Sequence, residues 1–186
     1  MRTKLFPNIV DLVDRWCEIT GDDPKEVRQR TREMRREDML PDFRVSDTRL
    51  TEHHVAAFII AMVAADKHNE APEAARKRGA LHQTDLRSEG GDHSWETTGS
   101  LAGDLAFLLR QMKERGPWIV AWLTVSTTHN HADLMAVYGP LKRSARVSAD
   151  YGAPMLTGKG PKFPVIANRR VEAQVIWHLI GLLSDD

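Results

Sequence analysis

The chain has 186 residues, enough for one domain or two small ones with a buried core. Its 26 basic residues balance 26 acidic ones, so any attraction to nucleic acid must come from local clusters. The longest apolar run, Val55 to Ala65, is too short to cross a bilayer, and early charges argue against a signal peptide. We therefore expect a cytoplasmic protein without membrane contact.

Motifs for catalysis or cofactor binding are missing from the sequence. Cys17 is the single cysteine, which excludes an internal disulfide and any thiolate zinc cluster built from one chain. Lys159 stands between two glycines but lacks the earlier glycine and the following Ser or Thr of a phosphate loop. The chain also has no G-x-S-x-G nucleophile elbow and no H-E-x-x-H zinc helix. We therefore expect no enzymatic activity and no cofactor.

Apolar residues at helical spacing predict four helices in the N-terminal half. The predicted segments are Ile9 to Thr20, Pro24 to Asp38, a helix that opens at Thr51, and Pro72 to Gly79. The third helix carries a dense set of apolar positions, including Phe58 and Ile59. It should therefore form the centre of the first core.

The C-terminal half combines helices with strands. A fifth helix is marked by leucines from Leu101 to Leu109, and a last helix, from Val171 to Leu183, should cover one face of a sheet. Segments rich in β-branched and aromatic residues predict the strands. They are Trp118 to Thr127, Leu134 to Tyr138, Ser144 to Ala149 and Phe163 to Asn168. The predicted fold class is α+β, with a helical N-terminal half and a small antiparallel sheet packed with helices in the C-terminal half.

A polar stretch separates the two halves. Residues 83–97 contain Gly90 and Gly91 and few apolar side chains, which is typical of a linker or a long loop. We therefore predict a helical domain over residues 1–82 and an α+β domain over residues 98–186. Trp95, an aromatic side chain within this polar linker, is predicted to meet a partner.

Charge is segregated along the neutral chain. Between Pro24 and Arg36 six basic residues outnumber two acidic ones, and between Gly139 and Arg170 seven basic residues outnumber Asp150 alone. Local basic clusters of this kind are typical of nucleic-acid binding by a chain without net charge.

The first two predicted helices match the parts of a helix-turn-helix. This DNA-binding motif needs a supporting helix, a tight turn that usually contains glycine, and a second helix exposed to the major groove. Gly21 supplies the turn, with the small Cys17 four residues before it and the apolar Val27 six residues after it. Two residues depart from the pattern. Asp22 stands where an apolar residue is usual, and Arg30 occupies a position that is normally buried.

The second predicted helix has an inward and an outward face. Val27, Thr31 and Met34 share the inward face. The outward face carries residues predicted to contact DNA, namely Arg28, Gln29, Arg32, Arg35 and Arg36. Arginine can hold a guanine edge with two hydrogen bonds, glutamine suits adenine, and further cations neutralise phosphates. The alternative is a solvated helix whose Arg and Glu side chains pair with each other.

A family resemblance covers residues from about Ile9 to Lys77. It is carried by the segments ITGDDPKEVRQRTREMRREDMLP and LTEHHVAAFIIAMVAADKHNEAPEAARK, with a basic loop between them. This order resembles the N-terminal module of prophage and gene-transfer-agent-associated proteins of alphaproteobacteria, which share a Thr-Gly turn, an arginine-rich helix ending in Leu-Pro, and a following apolar helix. The resemblance implies a helix-turn-helix regulator. It also implies DNA contacts at Lys25, Arg28, Gln29 and Arg32.

The second basic region lies near the predicted strands. Lys142, Arg143 and Arg146 lie in or beside one strand, and Lys159 and Lys162 lie in a Gly- and Pro-rich loop. Basic hairpins can rest against the DNA backbone without reading its sequence, so the first three are further candidate DNA contacts. The alternative is an edge strand and loop kept from aggregating by basic side chains.

Histidines offer the one enzyme-like pattern. His129, His131 and Asp133 would point the same way in an extended strand and could converge on a metal ion. No further ligand is identifiable in the sequence, and histidines are frequent in turns. We therefore predict no metal site.

These observations favour a sequence-specific double-stranded DNA-binding protein, a transcriptional regulator of prophage or gene-transfer-agent type. The helical domain would bind DNA, and the α+β domain would form a homodimer, which predicts a target with two related half-sites. RNA polymerase or another regulator is a further candidate partner. Two alternatives stay open: a phage-derived DNA-packaging or assembly protein resembling a small terminase, and a metal-dependent enzyme that uses His129, His131 and Asp133.

Overall fold

The computed structural model describes residues 8–42, 49–90, 95, 97–116, 119–126, 130–139, 145–152 and 168–183. These residues form the helices α1 (Ile9–Thr20), α2 (Pro24–Arg36), α3 (Glu52–Ala64), α4 (Ala71–Gly79), α5 (Leu101–Arg115) and α6 (Ala173–Ile180), with a 3₁₀ turn at His68–Glu70. They also form the strands β1 (Gln83–Glu89), β2 (Ile119–Ser126), β3 (His131–Tyr138), β4 (Ala145–Gly152) and β5 (Asn168–Val171). The predicted α+β class is confirmed, with helices in the N-terminal half and most strands in the C-terminal half.

Helix α3 is the centre of the helical layer, as its apolar sequence predicts. Every residue from Phe58 to Val63 is buried, so the helix is enclosed on all sides rather than along one stripe. At its start, Thr51 Oγ1 accepts a hydrogen bond from the His54 backbone N–H, and His54 Nδ1 accepts one from the Thr51 N–H, at 3.3 and 3.2 Å. This reciprocal capping satisfies backbone donors that would otherwise lack partners.

The five strands form one antiparallel sheet in the order β1-β4-β3-β2-β5. Burial alternates along each central strand. In β3, Ala132, Leu134 and every second residue up to Tyr138 are buried, while the residues between them are half-exposed. Helices α3, α5 and α6 pack against β2 on the buried face. The opposite face of the sheet is the more accessible one.

The prediction of a linker over residues 83–97 is wrong for the first half of that segment. Residues Gln83 to Glu89 form β1, which pairs with β4 at the edge of the sheet. Neither face of this strand is covered, and Leu86 is 40% exposed, so the sequence carries no apolar alternation that could reveal it. Trp95, predicted to meet a partner, is instead buried among the core residues.

Several further boundaries differ from prediction. Helix α2 ends at Arg36 rather than Asp38, and β3 begins at His131 rather than Leu134. Of the strand expected at Phe163 to Asn168, only Asn168 lies within the described residues, and β5 begins there. Val171, expected in the last helix, is the final residue of β5 and pairs with Leu123. Backbone pairing with β2 therefore keeps Val171 extended, and the helix begins at Ala173.

A buried carboxylate ties α5 to the sheet. Asp104 is fully buried, and it accepts hydrogen bonds from the Tyr151 hydroxyl at 2.7 Å and from the Thr98 hydroxyl at 2.8 Å. The Thr98 backbone N–H and the Thr97 hydroxyl are further donors. Burial, together with the bond to Asp104, raises the pKa of Tyr151 far above its usual range. The tyrosine is therefore a constant donor to this carboxylate.

Apolar side chains of both halves form one continuous core. Trp16 of α1, Phe58 of α3 and Leu123 of β2 belong to the same buried cluster. Helix α1 of the predicted helical domain contacts α6 of the predicted α+β domain, and α5 contacts the same helix. The two predicted domains, on either side of residues 83–97, therefore pack against each other. Among the described helices, none combines the length and the apolar character that crossing a bilayer requires.

Candidate nucleic-acid interface

The α1–α2 pair has the connection that a helix-turn-helix needs. Gly21 ends α1 with φ +76°, a left-handed conformation that glycine adopts without strain, and its N–H donates to the Cys17 carbonyl at 3.0 Å. Asp23 then caps α2 by accepting from the Lys25 N–H at 2.9 Å, and Pro24 occupies the first helical position. The turn between the helices is therefore three residues long, from Gly21 to Asp23.

Asp22, which departs from the usual turn pattern, has a structural task. Its Oδ2 accepts from the indole N–H of Trp16 at 2.7 Å, and Trp16 is only 3% exposed. The Trp16 ring in turn packs edge-to-face on Phe58 of α3, with ring centroids 5.5 Å apart. An aspartate at this position therefore satisfies a buried donor that an apolar residue would leave without a partner. Burial and the nearby Asp22 carboxylate also raise the pKa of the Cys17 thiol, so this cysteine stays protonated.

Arg30, the second departure, anchors α2 to the end of α3. Its Nη1 donates to the Met62 carbonyl at 3.1 Å, and its Nη2 donates to the Asp66 carbonyl at 3.5 Å. Arg169 of β5 reaches the same helix end, donating to the Ala65 carbonyl at 2.8 Å and to the Asp66 carboxylate at 2.7 Å. The last carbonyls of a helix lack partners within the helix and carry partial negative charge. We call this arrangement of Arg30 and Arg169 around the end of α3 the arginine clamp.

The inward face of α2 is as predicted. Val27, Thr31 and Met34 are all buried. The Thr31 hydroxyl donates to the Val27 carbonyl at 2.7 Å, so the one polar group on this face has an acceptor within the helix. Since α2 also contacts α1, α3 and α4, its orientation is set on several sides.

The outward face of α2 presents most of the predicted DNA contacts to solvent. Lys25, Arg28, Arg32 and Arg36 are exposed, and Gln29 and Arg35 are half-buried. Successive residues of an α-helix are about 100° apart, which places Lys25, Arg28, Gln29, Arg32 and Arg36 on one side of α2. The structure therefore brings these five predicted residues together.

Several of these cations have acidic neighbours. Asp14 accepts from Arg28 at 3.2 Å, Asp42 from Arg35 at 2.6 Å, and Glu33 from Arg36 at 2.8 Å. Lys25 and Arg32 form no ion pair within the described part of the chain. Exposed ion pairs contribute roughly 0–1 kcal/mol each, so they can be exchanged for contacts with phosphate at little cost.

A shallow groove of about 190 Å³ runs beside these cations. Ile9, Val10 and Val13 of α1 line one side, and α2 residues including Arg28 and Arg32 line the other. Val10 is 48% exposed, an unusual exposure for an apolar helix residue in this chain. The groove therefore places an apolar side chain next to the basic face.

Of the predicted DNA contacts in the second basic region, Arg146 alone lies within the described residues. Arg146 lies on the accessible face of β4, where its Nε donates to the Met135 sulfur at 3.1 Å. This face is turned away from the helical layer that contains α2. The other two predicted contacts, Lys142 and Arg143, lie outside the described residues. The alternative of an edge strand protected by basic side chains does not hold for Arg146, because β4 pairs with β1 on one side and with β3 on the other.

The histidine pattern is only partly described. His131 and Asp133 lie on the same, accessible face of β3, as an extended strand requires, while His129 lies outside the described residues. Asp133 stands opposite Asp150 of β4. Burial, followed by the Asp150 charge, raises the pKa of Asp133. No group of three or more His, Cys, Asp or Glu side chains suited to a metal ion occurs among the described residues.

Sequence reasoning missed the role of β5. Arg169 and Arg170 entered the second basic cluster only as charges, but Arg169 belongs to the arginine clamp and Arg170 lies over the Trp122 ring at 6.0 Å. From the sequence, the two residues are simply an adjacent basic pair. The pairing of β5 with β2 shows that their side chains lie on opposite faces of the sheet.

Comparison with known proteins adds no family to this description: no family model, no curated protein and no solved structure matches the chain.

Proposed function

We propose that this protein binds double-stranded DNA in a sequence-specific manner, with α2 as the helix that enters the major groove. The observation that carries the proposal is the outward face of α2. Its exposed cations stand on a helix whose orientation is set by Asp22 and Arg30. A reading helix needs this combination of a basic, accessible face and a rigid support.

The dimensions of α2 suit the major groove. Its 13 residues give a length of about 20 Å, and a helix with its side chains is about 10–12 Å across, close to the width of that groove. In this arrangement Arg28, Gln29 and Arg32 would meet base edges. Lys25, Arg35 and Arg36 would neutralise phosphates.

The acidic neighbours of these arginines would then compete with DNA for the same guanidinium groups. Asp14 holds Arg28 in the free protein, and binding to a guanine edge or a phosphate would replace that contact. Glu26 and Glu33 lie on α2 itself and would oppose binding where they approach phosphates. Each chain should therefore make few favourable contacts with DNA, and the affinity of a single chain should be low. A homodimer on two half-sites about one helical turn apart would supply the rest.

The direct test is selection of bound duplexes from a randomised DNA pool, followed by anisotropy titration of the enriched duplex at low salt, about 50 mM. The Arg32→Ala variant should lose roughly 5- to 150-fold in affinity and relax the preference at one base position. Lys25→Ala should weaken all duplexes alike and lower the salt slope by about one.

Arg87→Ala is the matched control, because Arg87 is an exposed arginine on the far edge strand β1. It should leave DNA affinity unchanged. Absence of enrichment and of binding at low salt, or equal losses for Arg32→Ala and Arg87→Ala, would reject the proposal. Light scattering then separates a dimer from a ring of many subunits, the state expected of a packaging protein.

A further inference from the structure

The face of the sheet that turns away from the helices is apolar at its centre. Val120 and Trp122 of β2 stand opposite Val137 and Met135 of β3, and all four residues are half-buried. The helices that pack on β2, namely α3, α5 and α6, lie on the other face. Strands of an antiparallel sheet with one face in water commonly alternate between apolar and polar residues. The centre of β2 and β3 therefore has the composition of a strand pair that is covered on both faces.

Charged residues flank this apolar centre, with opposite signs toward opposite ends of the strands. Asp133 of β3 stands directly opposite Asp150 of β4, and the charge of Asp150 contributes, after burial, to the raised pKa of Asp133. Asp150 accepts from Arg87 only at 3.5 Å. Arg146 lies on the same face of β4, about 13 Å from Asp150 along the strand. The two carboxylates form a like-charge pair that a further cation would stabilise.

This arrangement of charges is complementary to itself. A two-fold axis parallel to the face, perpendicular to the strands and close to Met135 places β4 of one copy over β4 of another, in the opposite direction. Arg146 of each copy then lies over Asp133 and Asp150 of the other. An axis along the strands would instead bring Asp133 over the partner's Asp133, and like charges repel. The charges therefore select the first arrangement.

Arg146 is free to move into this position. The residue is exposed, and its Nε donates to the Met135 sulfur at 3.1 Å. A thioether sulfur is a weak acceptor, whereas a carboxylate forms a strong, charge-assisted hydrogen bond with a guanidinium group. Exchange of the Met135 contact for carboxylates of a partner is therefore favourable.

The face is also large enough for a contact between two copies. It spans five strands, of which β2, β3 and β4 each have eight residues. Standard strand spacings give a face of about 24 Å by 26 Å, or roughly 600 Å². Each partner in a standard interface buries about 800 Å², so the two areas are comparable.

We propose that two copies of this chain form a homodimer by packing these sheet faces together. The apolar centres of β2 and β3 meet, and Arg146 of each copy contacts Asp133 and Asp150 of the other. This contact would supply the homodimer that the proposed DNA binding uses. It rests on the sheet and not on DNA binding, so the dimer forms without DNA.

Sedimentation equilibrium of the full chain without DNA, over a roughly hundredfold range of concentration, tests the proposal. The native chain should approach twice the monomer mass. Arg146→Asp puts a third carboxylate against Asp133 and Asp150 of the partner and should weaken the dimer more than about tenfold. Arg110→Asp makes the same charge reversal on the exposed side of α5 and should leave the dimer unchanged. A native chain that stays monomeric, or equal dimer affinities for Arg146→Asp and Arg110→Asp, would overturn the proposal.

A charge exchange identifies the facing residues. Asp150→Arg alone should also weaken the dimer, because it places two cations against each other. The double variant Arg146→Asp/Asp150→Arg restores opposite charges across the interface and should recover most of the native affinity. A double variant as weakly associated as the single ones would exclude the assigned contact.

These variants should fold, because Arg146 is exposed and the Asp150 side chain is 34% exposed. Circular dichroism and thermal melting check each of them. Since no DNA is present, a chain that dimerises as described but binds no duplex would reject the proposed function alone.

Discussion

The two sides of α2 carry the same residue type in opposite settings. On one side, Arg30 is half-buried and donates to carbonyls at the end of α3. On the other side, Arg32 is exposed and has no ion pair among the described residues. An arginine therefore serves the fold where backbone acceptors surround it. An arginine that is surrounded only by water is available to a ligand.

This difference also separates the two departures from the helix-turn-helix pattern from the proposed DNA-binding face of α2. Asp22 and Arg30 break the usual pattern, but each satisfies a polar group that the motif would otherwise leave without a partner. Neither lies on the outward face. The departures therefore concern how α2 is attached, and they leave the proposed DNA contacts unchanged.

The largest loss of stability should come from replacing Asp104, a polar group that is fully buried. Asp104→Ala would leave the Tyr151 and Thr98 donors without their acceptor, and should lower the free energy of unfolding by about 3–4 kcal/mol. Urea denaturation measures this loss. Tyr151→Phe is the control, because it removes a single donor and should cost only about 1 kcal/mol. Equal losses in both variants would show that Asp104 does not act through its set of donors.

The next effect compares the two sides of α2 directly. Arg30→Ala should lower the free energy of unfolding by about 2–3 kcal/mol, because charged donors to two carbonyls at the end of α3 are lost. Arg32→Ala should change it by less than about 0.5 kcal/mol. The same urea titrations measure both. If the two variants were equally stable, the distinction between the arginine clamp and the outward face of α2 would fail.

A smaller loss is expected at the α1–α2 turn. Asp22→Ala leaves the buried indole N–H of Trp16 without an acceptor and should cost about 1–2 kcal/mol of unfolding free energy. Asp22→Asn retains a side-chain oxygen and should recover most of this loss. Thermal melting of the three proteins provides the measurement. A melting temperature for Asp22→Asn as low as that of Asp22→Ala would show that the charge, and not the hydrogen bond, matters.

The smallest effect should be a pH dependence at the start of α3. Burial, followed by the charge of His53, lowers the pKa of His54, whose Nδ1 accepts from the Thr51 N–H. Because the folded pKa lies below the unfolded value of about 6.5, this stability is present above pH 6.5. It is lost as the pH falls through the folded pKa, by less than about 1 kcal/mol.

His54→Gln sharpens this test, since glutamine completes the same capping box without titrating. Its unfolding free energy should therefore change less between pH 7 and pH 5 than that of the native chain. Identical pH profiles for the two proteins would exclude His54 as the titrating group.

Local patterns predicted much of the fold and part of the site. The bounds of α1 follow from Ile9 and the stop at Gly21, and the inward face of α2 follows from the spacing of Val27, Thr31 and Met34. Edge strands were the difficult elements. In β1, the uncovered Leu86 and its polar neighbours carry no pattern, because the strand pairs with β4 but buries neither of its faces.

By itself, the sequence determined where the helices lie along the chain, which face of α2 is apolar, and where basic residues concentrate, because these depend on spacing along the chain. Only the tertiary structure decided which arginines are engaged. Arg30 and Arg169 are 139 residues apart in sequence and meet at the end of α3. Arg32, two residues from Arg30, stays in solvent. The physical reason is that a guanidinium group is held by acceptors near it in space, and no pattern along the chain records that distance.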